Sequence, residues 1–170
     1  LIDDSGSNEF FGGQGHDTIR SGDGNDTIFA GNDGDLVESG GGNDRVRAGF
    51  GDDTVWGGSG DDSLQGNEKD DRLYGEDGND TLDGGSGSDV LTGGAGADRF
   101  IFNAGRDHIT DFTHGEDLIQ LQGFAKIDTY TDILERLSQD GADVLLRIGT
   151  HRLWIEDTDL TDLTSGDFFY

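Results

Sequence analysis

The residues from Gly12 to Ile101 encode an all-β stack of short coils. They divide into ten nine-residue units without insertion or deletion, such as GGQGHDTIR, SGDGNDTIF, AGFGDDTVW and GEDGNDTLD. Place six is always aspartate: Asp17, Asp26, Asp35, Asp44, Asp53, Asp62, Asp71, Asp80, Asp89 and Asp98. Place eight is always apolar: Ile19, Ile28, Val37, Val46, Val55, Leu64, Leu73, Leu82, Leu91 and Phe100. A short fixed period marks a repeat architecture. The register continues past both ends, through Asn8 and Phe10 upstream and Asp107 and Ile109 downstream.

Each unit has two halves. The first is Gly-rich, ends in Asp and reads as a turn, because glycine tolerates positive φ and close backbone approach. The second reads as a three-residue strand with its middle side chain inward and its outer two toward solvent. One unit buries one apolar residue, so coils must stack at roughly 4.8 Å to build a continuous core. That core is thin. An inward residue contributes about 1.5–3 kcal/mol, while ordering each residue of the unit costs about 1–2 kcal/mol. A further source of stability is required.

The aspartates point to it. Carboxylates stacked turn over turn repel one another unless a hard divalent cation lies between them. Calcium suits the set, since it takes about 6–8 oxygen ligands and accepts carboxylates mixed with backbone carbonyls. Magnesium fits worse, because it demands near-octahedral geometry and keeps its waters. The turn glycines offer the carbonyls: Gly13, Gly15, Gly22, Gly24, Gly40, Gly42, Gly49, Gly51, Gly58, Gly60, Gly78, Gly85, Gly87, Gly94 and Gly96.

The units match GGxGxDxUx, and the chain resembles the repeats-in-toxin (RTX) family, whose nonapeptides bind calcium. The resemblance implies a right-handed parallel β-roll in which two units make one coil. Unit n then lies beneath unit n+2, with calcium between their turns. One edge would carry Asp17, Asp35, Asp53, Asp71, Asp89 and Asp107, and the other Asp26, Asp44, Asp62, Asp80 and Asp98. Neighbouring pairs on the two edges give about nine sites, with Asn8 above Asp26 as the candidate for a tenth. Unit three carries Asp33 in place of a turn glycine, and unit seven carries Asn67 and Lys69 in place of both. Sites built on the unit-seven turn are expected to bind calcium more weakly or stand empty; the other edge departs only at Glu76.

The chain has 170 residues and a net charge of −26, which excludes nucleic acid and anionic membrane surfaces as partners. Nine divalent ions would bring about +18 and offset most of that charge. Without them, so acidic and Gly-rich a sequence is expected to be disordered. There is no cysteine, hence no disulfide and no thiolate zinc site. No apolar run is long enough to span a bilayer, and no signal-peptide pattern opens the chain. With no methionine anywhere, the sequence reads most simply as a C-terminal fragment of a larger protein.

Three regions are expected. Residues 1–11 form a degenerate opening repeat, DDSGSNEFF included, and residues 12–110 the roll. Residues 111–170 form a small β-rich cap with one short helix, needed because an open end exposes strand edges. Within the roll, Trp56 and Tyr74 lie one coil apart on one face. They read as a cross-strand pair that stiffens the ladder, or as a ledge for a polysaccharide or surface ligand. Asp111 and Asp117 flank a turn and are candidates for one more calcium site, or for turn and capping roles. Leu118 to Leu121 reads as a strand. Asp128 to Gln139 reads as a helix with Ile133, Leu134 and Leu137 on one face and Asp132 and Glu135 near its start. DVLLRI and HRLWIED form a hairpin across Gly149-Thr150. The end, residues 160–170, closes on Asp167-Phe168-Phe169-Tyr170, which resembles the terminal motif of proteins exported by type I secretion.

No catalytic constellation is found. HExxH, GxSxG, P-loop and EF-hand patterns are absent, and the four histidines lack metal-ligand spacing. Paired carboxylates abound, but the nine-residue period already explains them. The expectation is a non-enzymatic, secreted, calcium-driven folding module that engages type I secretion machinery through its C-terminus. The alternatives are an adhesin or polysaccharide-binding module, or the non-catalytic end of a secreted hydrolase, lyase or epimerase.

Overall fold

The fold is taken from a computed structural model that describes residues 1–2 and 5–170. Asp3 and Asp4 of the opening repeat lie outside the described residues. The array supplies β1 (Glu9–Gln14), β2 (Thr18–Arg20), β3 (Thr27–Asn32), β4 (Leu36–Gly41), β5 (Arg45–Phe50) and β6 (Thr54–Ser59). It continues through β7 (Ser63–Glu68), β8 (Arg72–Asp77), β9 (Thr81–Ser86), β10 (Val90–Ala95) and β11 (Arg99–Phe102). Beyond it come β12 (Arg106–Ile109), β13 (Leu118–Leu121), α1 (Tyr130–Leu134), β14 (Leu137–Asp140), β15 (Asp143–Ile148), β16 (His151–Ile155) and β17 (Phe168–Phe169).

Alternate units feed alternate sheets. One sheet has the order β1-β3-β5-β7-β9-β11-β13-β17, the other β14-β15-β16-β12-β10-β8-β6-β4-β2. Within the array every pairing is parallel at a displacement of eighteen residues, as in Ile28↔Val46 and Val55↔Leu73. Two units therefore make one coil. All ten place-eight side chains are buried between the sheets, Ile19 to Phe100.

The strands are longer than the three residues expected. From β3 to β10 each runs six residues, places seven to nine and then one to three of the next unit. Side chains alternate along a strand, so place one points inward as place eight does. Ser21, Ala30, Ser39 and Ala48 at place one are fully buried, so the Gly-rich half does contribute to the core. The turn is correspondingly tighter, and its backbone requires positive φ at places two and four. Glycine supplies this in most units; Asp33 (70°), Asn67 (81°), Lys69 (88°) and Glu76 (77°) are held there without it.

The cap closes the far end by extending both sheets. β16 adds parallel to β12, with Asp107↔Leu153 and Ile109↔Ile155, and the β14-β15-β16 meander folds back antiparallel. The β15–β16 hairpin turns at Gly149-Thr150 as expected, with Gly149 at φ 61°. The helix is shorter than expected. Thr129 and Asp132 form a capping box at its start, but it ends at Leu134, and Leu137 to Asp140 is a strand. Leu137 pairs with Leu146 across the β14–β15 hairpin, and that pairing overrides the local helical pattern. Leu134 is left exposed. The terminal segment adds β17 to β13, parallel, and buries Phe168.

Candidate metal centre

The place-six aspartates form two ladders along the edges of the roll. On one edge the amide of each aspartate donates to Oδ1 of the aspartate one coil on. The series runs Asp17 to Asp35 (2.7 Å), Asp35 to Asp53 (2.7 Å), Asp53 to Asp71 (2.9 Å), Asp71 to Asp89 (2.9 Å) and Asp89 to Asp107 (3.2 Å). On the other edge Asn8 donates to Asp26 at 2.7 Å, followed by Asp26 to Asp44, Asp44 to Asp62, Asp62 to Asp80 and Asp80 to Asp98 at 2.7–2.8 Å. Asp117 continues this edge by accepting the Asp98 amide at 2.9 Å. The eleven aspartates from Asp17 to Asp107 at the sixth place of the period thus form two rows, one along each edge.

Each array carboxylate has a divided task. Oδ1 ties the coil to its neighbour. Oδ2 is buried without a hydrogen-bond partner in all ten units, Asp17 through Asp98. A buried polar atom without a partner costs about 1–3 kcal/mol, more when charged. Ten in register point to a ligand common to all of them.

Oδ2 lies close to place one of its own unit and to a carbonyl of the next coil. A Cβ built on Gly57 would collide with both Asp62 Oδ2 and the carbonyl oxygen of Gly75 in the next coil. The same convergence recurs at Gly66 with Asp71 and Gly84, and at Gly75 with Asp80 and Gly93. Where place one is glycine, an anionic oxygen and a carbonyl oxygen thus converge beside its Cα. In units two to five Ser21, Ala30, Ser39 and Ala48 put a side chain there, and the Ser21 and Ser39 hydroxyls donate to the carbonyls of Ser39 and Gly57. These place-one carbonyls were not among those expected from the sequence. The expected place-two and place-four carbonyls point along the stack: Cβ atoms on Gly31, Gly40, Gly42 and Gly60 would collide with the oxygens of Gly13, Gly22, Gly24 and Gly42. Among the described residues no three or more His, Cys, Asp or Glu side chains are grouped so as to hold a metal ion by themselves. The donor set is one carboxylate oxygen per turn with backbone carbonyls, a hard-oxygen set that suits calcium.

Electrostatics agree with that set. Burial pushes the carboxyl pKa up to about 6 at Asp44, Asp53, Asp80 and Asp98, about 7 at Asp62 and about 8 at Asp71, with neighbouring aspartates adding to the rise. Asp107 is raised chiefly by burial and then by the charge of Asp89, with which it shares a hydrogen bond. A bound divalent ion would reverse both causes.

Three candidates sit differently. Asp111 accepts the Gly93 and Gly94 amides, one on each oxygen, and Asp117 accepts Asp98 and Thr113. Each oxygen of both carboxylates thus accepts one backbone amide. The Asn8 side chain donates to the Ser5 and Gly6 carbonyls. Place five holds residues that the sequence reading passed over. Asn25, Asn43, Asp61 and Asn79 each accept a backbone amide from the next coil. The signal was present, since six of the ten units carry Asn or Asp at that place.

Comparison with known proteins bears on the same residues. The description "RTX calcium-binding nonapeptide repeat (4 copies)" matches residues 2–37, 29–64, 38–73, 56–91 and 74–109. The fold is similar to the AlgE6R3 subunit of the Azotobacter vinelandii mannuronan C5-epimerase. The TM-score is 0.52 and the identity 24%, over 79% of this chain and 78% of that one. Extracellular lipase LipA from Serratia marcescens matches with TM-score 0.48 and 19% identity over 97% of this chain, which spans 38% of the lipase's length. A search of the curated proteins finds no match. Periodicity, the paired ladders and the family match over residues 2–109 converge: the chain belongs to the RTX calcium-binding nonapeptide repeat family and is a calcium-binding β-roll module.

Proposed function

We propose that this chain is a calcium-driven folding and export module of an extracellular protein carried by type I secretion. The observation that carries the proposal is the row of buried, partnerless Oδ2 atoms from Asp17 to Asp98. About nine calcium ions would lie between successive aspartates of the two edges, each held by Oδ2 atoms and turn carbonyls. Asp107 closes one edge. Asn8, through its side-chain amide, and Asp111 and Asp117, each oxygen of which accepts a backbone amide, serve the turns instead.

The energetics give the module its switch. Extracellular calcium modules have Kd of order 10⁻⁴–10⁻³ M. Calcium at ten times Kd contributes about 1.4 kcal/mol per site, so nine sites supply roughly 12 kcal/mol. A whole domain is stable by about 5–15 kcal/mol. The same chain is then unfolded in the low calcium of the cytosol, fit to thread a narrow channel, and folded outside. The cap, richer in apolar residues and last in sequence, leaves the channel first and nucleates the roll. The C-terminal segment is the part that the export machinery would engage.

Far-ultraviolet circular dichroism tests this. Excess EGTA is expected to abolish the β signal and added calcium to restore it. A full β signal in EGTA at neutral pH would overturn the proposal. A polysaccharide-binding reading through Trp56 and Tyr74 has less support. Their rings stack on each other at 5.5 Å and 11°, which engages one face of each in stiffening the sheet.

A further inference from the structure

Besides the aspartate ladders, the turns carry a second ladder that runs the opposite way. On the edge of Asp26 to Asp98, Ser7 Oγ accepts the Asn25 amide at 3.2 Å, and Asn25 Oδ1 accepts the Asn43 amide at 2.9 Å. Asn43 Oδ1 accepts the Asp61 amide at 3.1 Å, Asp61 Oδ1 the Asn79 amide at 2.8 Å, and Asn79 Oδ1 the Ala97 amide at 2.9 Å. The series is unbroken over six coils. Glycine at place four makes room for it. Asn25 Oδ1 lies 2.8 Å from where a Cβ on Gly42 would stand, and Asn43 Oδ1 lies 2.9 Å from the same point on Gly60.

The opposite edge lacks this continuity. His16 Nδ1 meets the Gly34 carbonyl at 2.6 Å, and Gly34 has no side chain to offer the Asp52 amide. Asp52 Oδ1 reaches the Asp70 amide at 3.3 Å, and only Asp70 to Ser88, at 2.8 Å, is tight.

Adjacent amides of one turn are thus tied in opposite directions. The Asp61 amide is held by Asn43 of the coil before, and the Asp62 amide by Asp80 of the coil after. The peptide that aims Asp62 Oδ2 is fixed from both sides. We propose that Asn25, Asn43, Asp61 and Asn79 are positioning residues that couple neighbouring calcium sites, so that this edge takes up the ion as one cooperative unit while the opposite edge does so in pieces. The proposal rests on the reading of the place-six aspartates as calcium ligands.

Hydrogen exchange followed by mass spectrometry across a calcium series tests it on the whole chain. The readouts are the turn amides of Gly24, Gly42, Gly60 and Gly78, each bonded to a carbonyl of the next coil. In the parent all four are expected to gain protection at one calcium midpoint. Asn43→Ala removes the third of its five links, the one from Asn43 Oδ1 to the Asp61 amide. Gly24 and Gly42 should then need about three- to tenfold more calcium, the weight of one hydrogen bond, while Gly60 and Gly78, nearer the cap, keep the parent midpoint. Asn43→Asp retains an acceptor oxygen and should restore a single midpoint. A single midpoint for all four amides in Asn43→Ala, shifted or not, overturns the coupling and leaves the side chain a general stabiliser. Calcium-independent protection in the parent would instead overturn the ligand reading itself.

Discussion

Asp62 accepts the Asp44 amide on Oδ1 at 2.7 Å and leaves its buried Oδ2 without a partner. One side chain thereby both stacks two coils and offers a charge to whatever lies between them. The two tasks separate on substitution. Asp62→Asn retains the carbonyl acceptor and removes the anionic oxygen. It is expected to keep the coil stacked in saturating calcium yet raise the calcium midpoint about 10–100-fold, on the scale of perturbed metal ligation. Asp62→Ala removes both functions and should also lower the melting temperature in saturating calcium. Calorimetric calcium titration and thermal melts distinguish the two.

Acid should partly replace calcium. Burial raises the folded-state pKa of Asp44, Asp53, Asp80 and Asp98 to about 6, of Asp62 to about 7 and of Asp71 to about 8, against 3.8 ordinarily. A raised carboxyl pKa favours the fold below the unfolded value, and that support is lost as pH rises through the folded value. The calcium-free fold is therefore expected to gain stability from about pH 8 down to about pH 4. The measurement is circular dichroism in EGTA across that range. Calcium affinity should move oppositely, rising with pH as protons leave the sites.

The left-handed residues of the unit-seven turn carry backbone strain. Lys69 stands at φ 88° and Asn67 at 81°. A non-glycine residue there costs about 1–2 kcal/mol. Lys69→Gly should raise the melting temperature by about 2–4 °C per kcal/mol relieved. It should also tighten calcium at the sites flanking Asp71 by removing a cation. The reverse change, Gly60→Ala, forces a side chain into φ 116° and against the Gly42 carbonyl, and should destabilise the roll. Melting curves of both variants in saturating calcium check the opposite signs.

The terminal segment is held by a carboxylate. Buried Asp167 accepts the Thr164 amide at 2.6 Å, the Thr164 hydroxyl at 2.9 Å, the Gly115 amide at 3.1 Å and His114 Nδ1 at 2.9 Å. Burial raises its pKa, but these bonds outweigh it and hold the group below its ordinary value. Its contribution is therefore present above that value and fades as pH falls through the folded pKa. Asp167→Ala should cost about 3 kcal/mol and release β17 to carboxypeptidase digestion in calcium, while the parent end resists.

The order of the coils was legible because a period-nine signal fixes register by repetition. Asp and apolar places told which atoms face the edge and which the core, and Gly149-Thr150 told the hairpin. What escaped was set by neighbours rather than by local pattern. Place one looked like turn because it is small; it is small because Asp Oδ2 of its own turn lies where a larger side chain would reach. Leu137 looked helical until Leu146 paired with it. The Asn43 ladder is invisible in one unit, since its partner lies eighteen residues away.

Calcium positions in crystals grown at saturating calcium, located by long-wavelength anomalous scattering, bear most directly on the stacked carboxylates. The expected result is a row of peaks along each edge, within about 2.3–2.6 Å of successive Oδ2 atoms and turn carbonyls, weakest beside Lys69. Well-ordered coils with Asp26 to Asp98 turned to solvent and no peak beside them would contradict it.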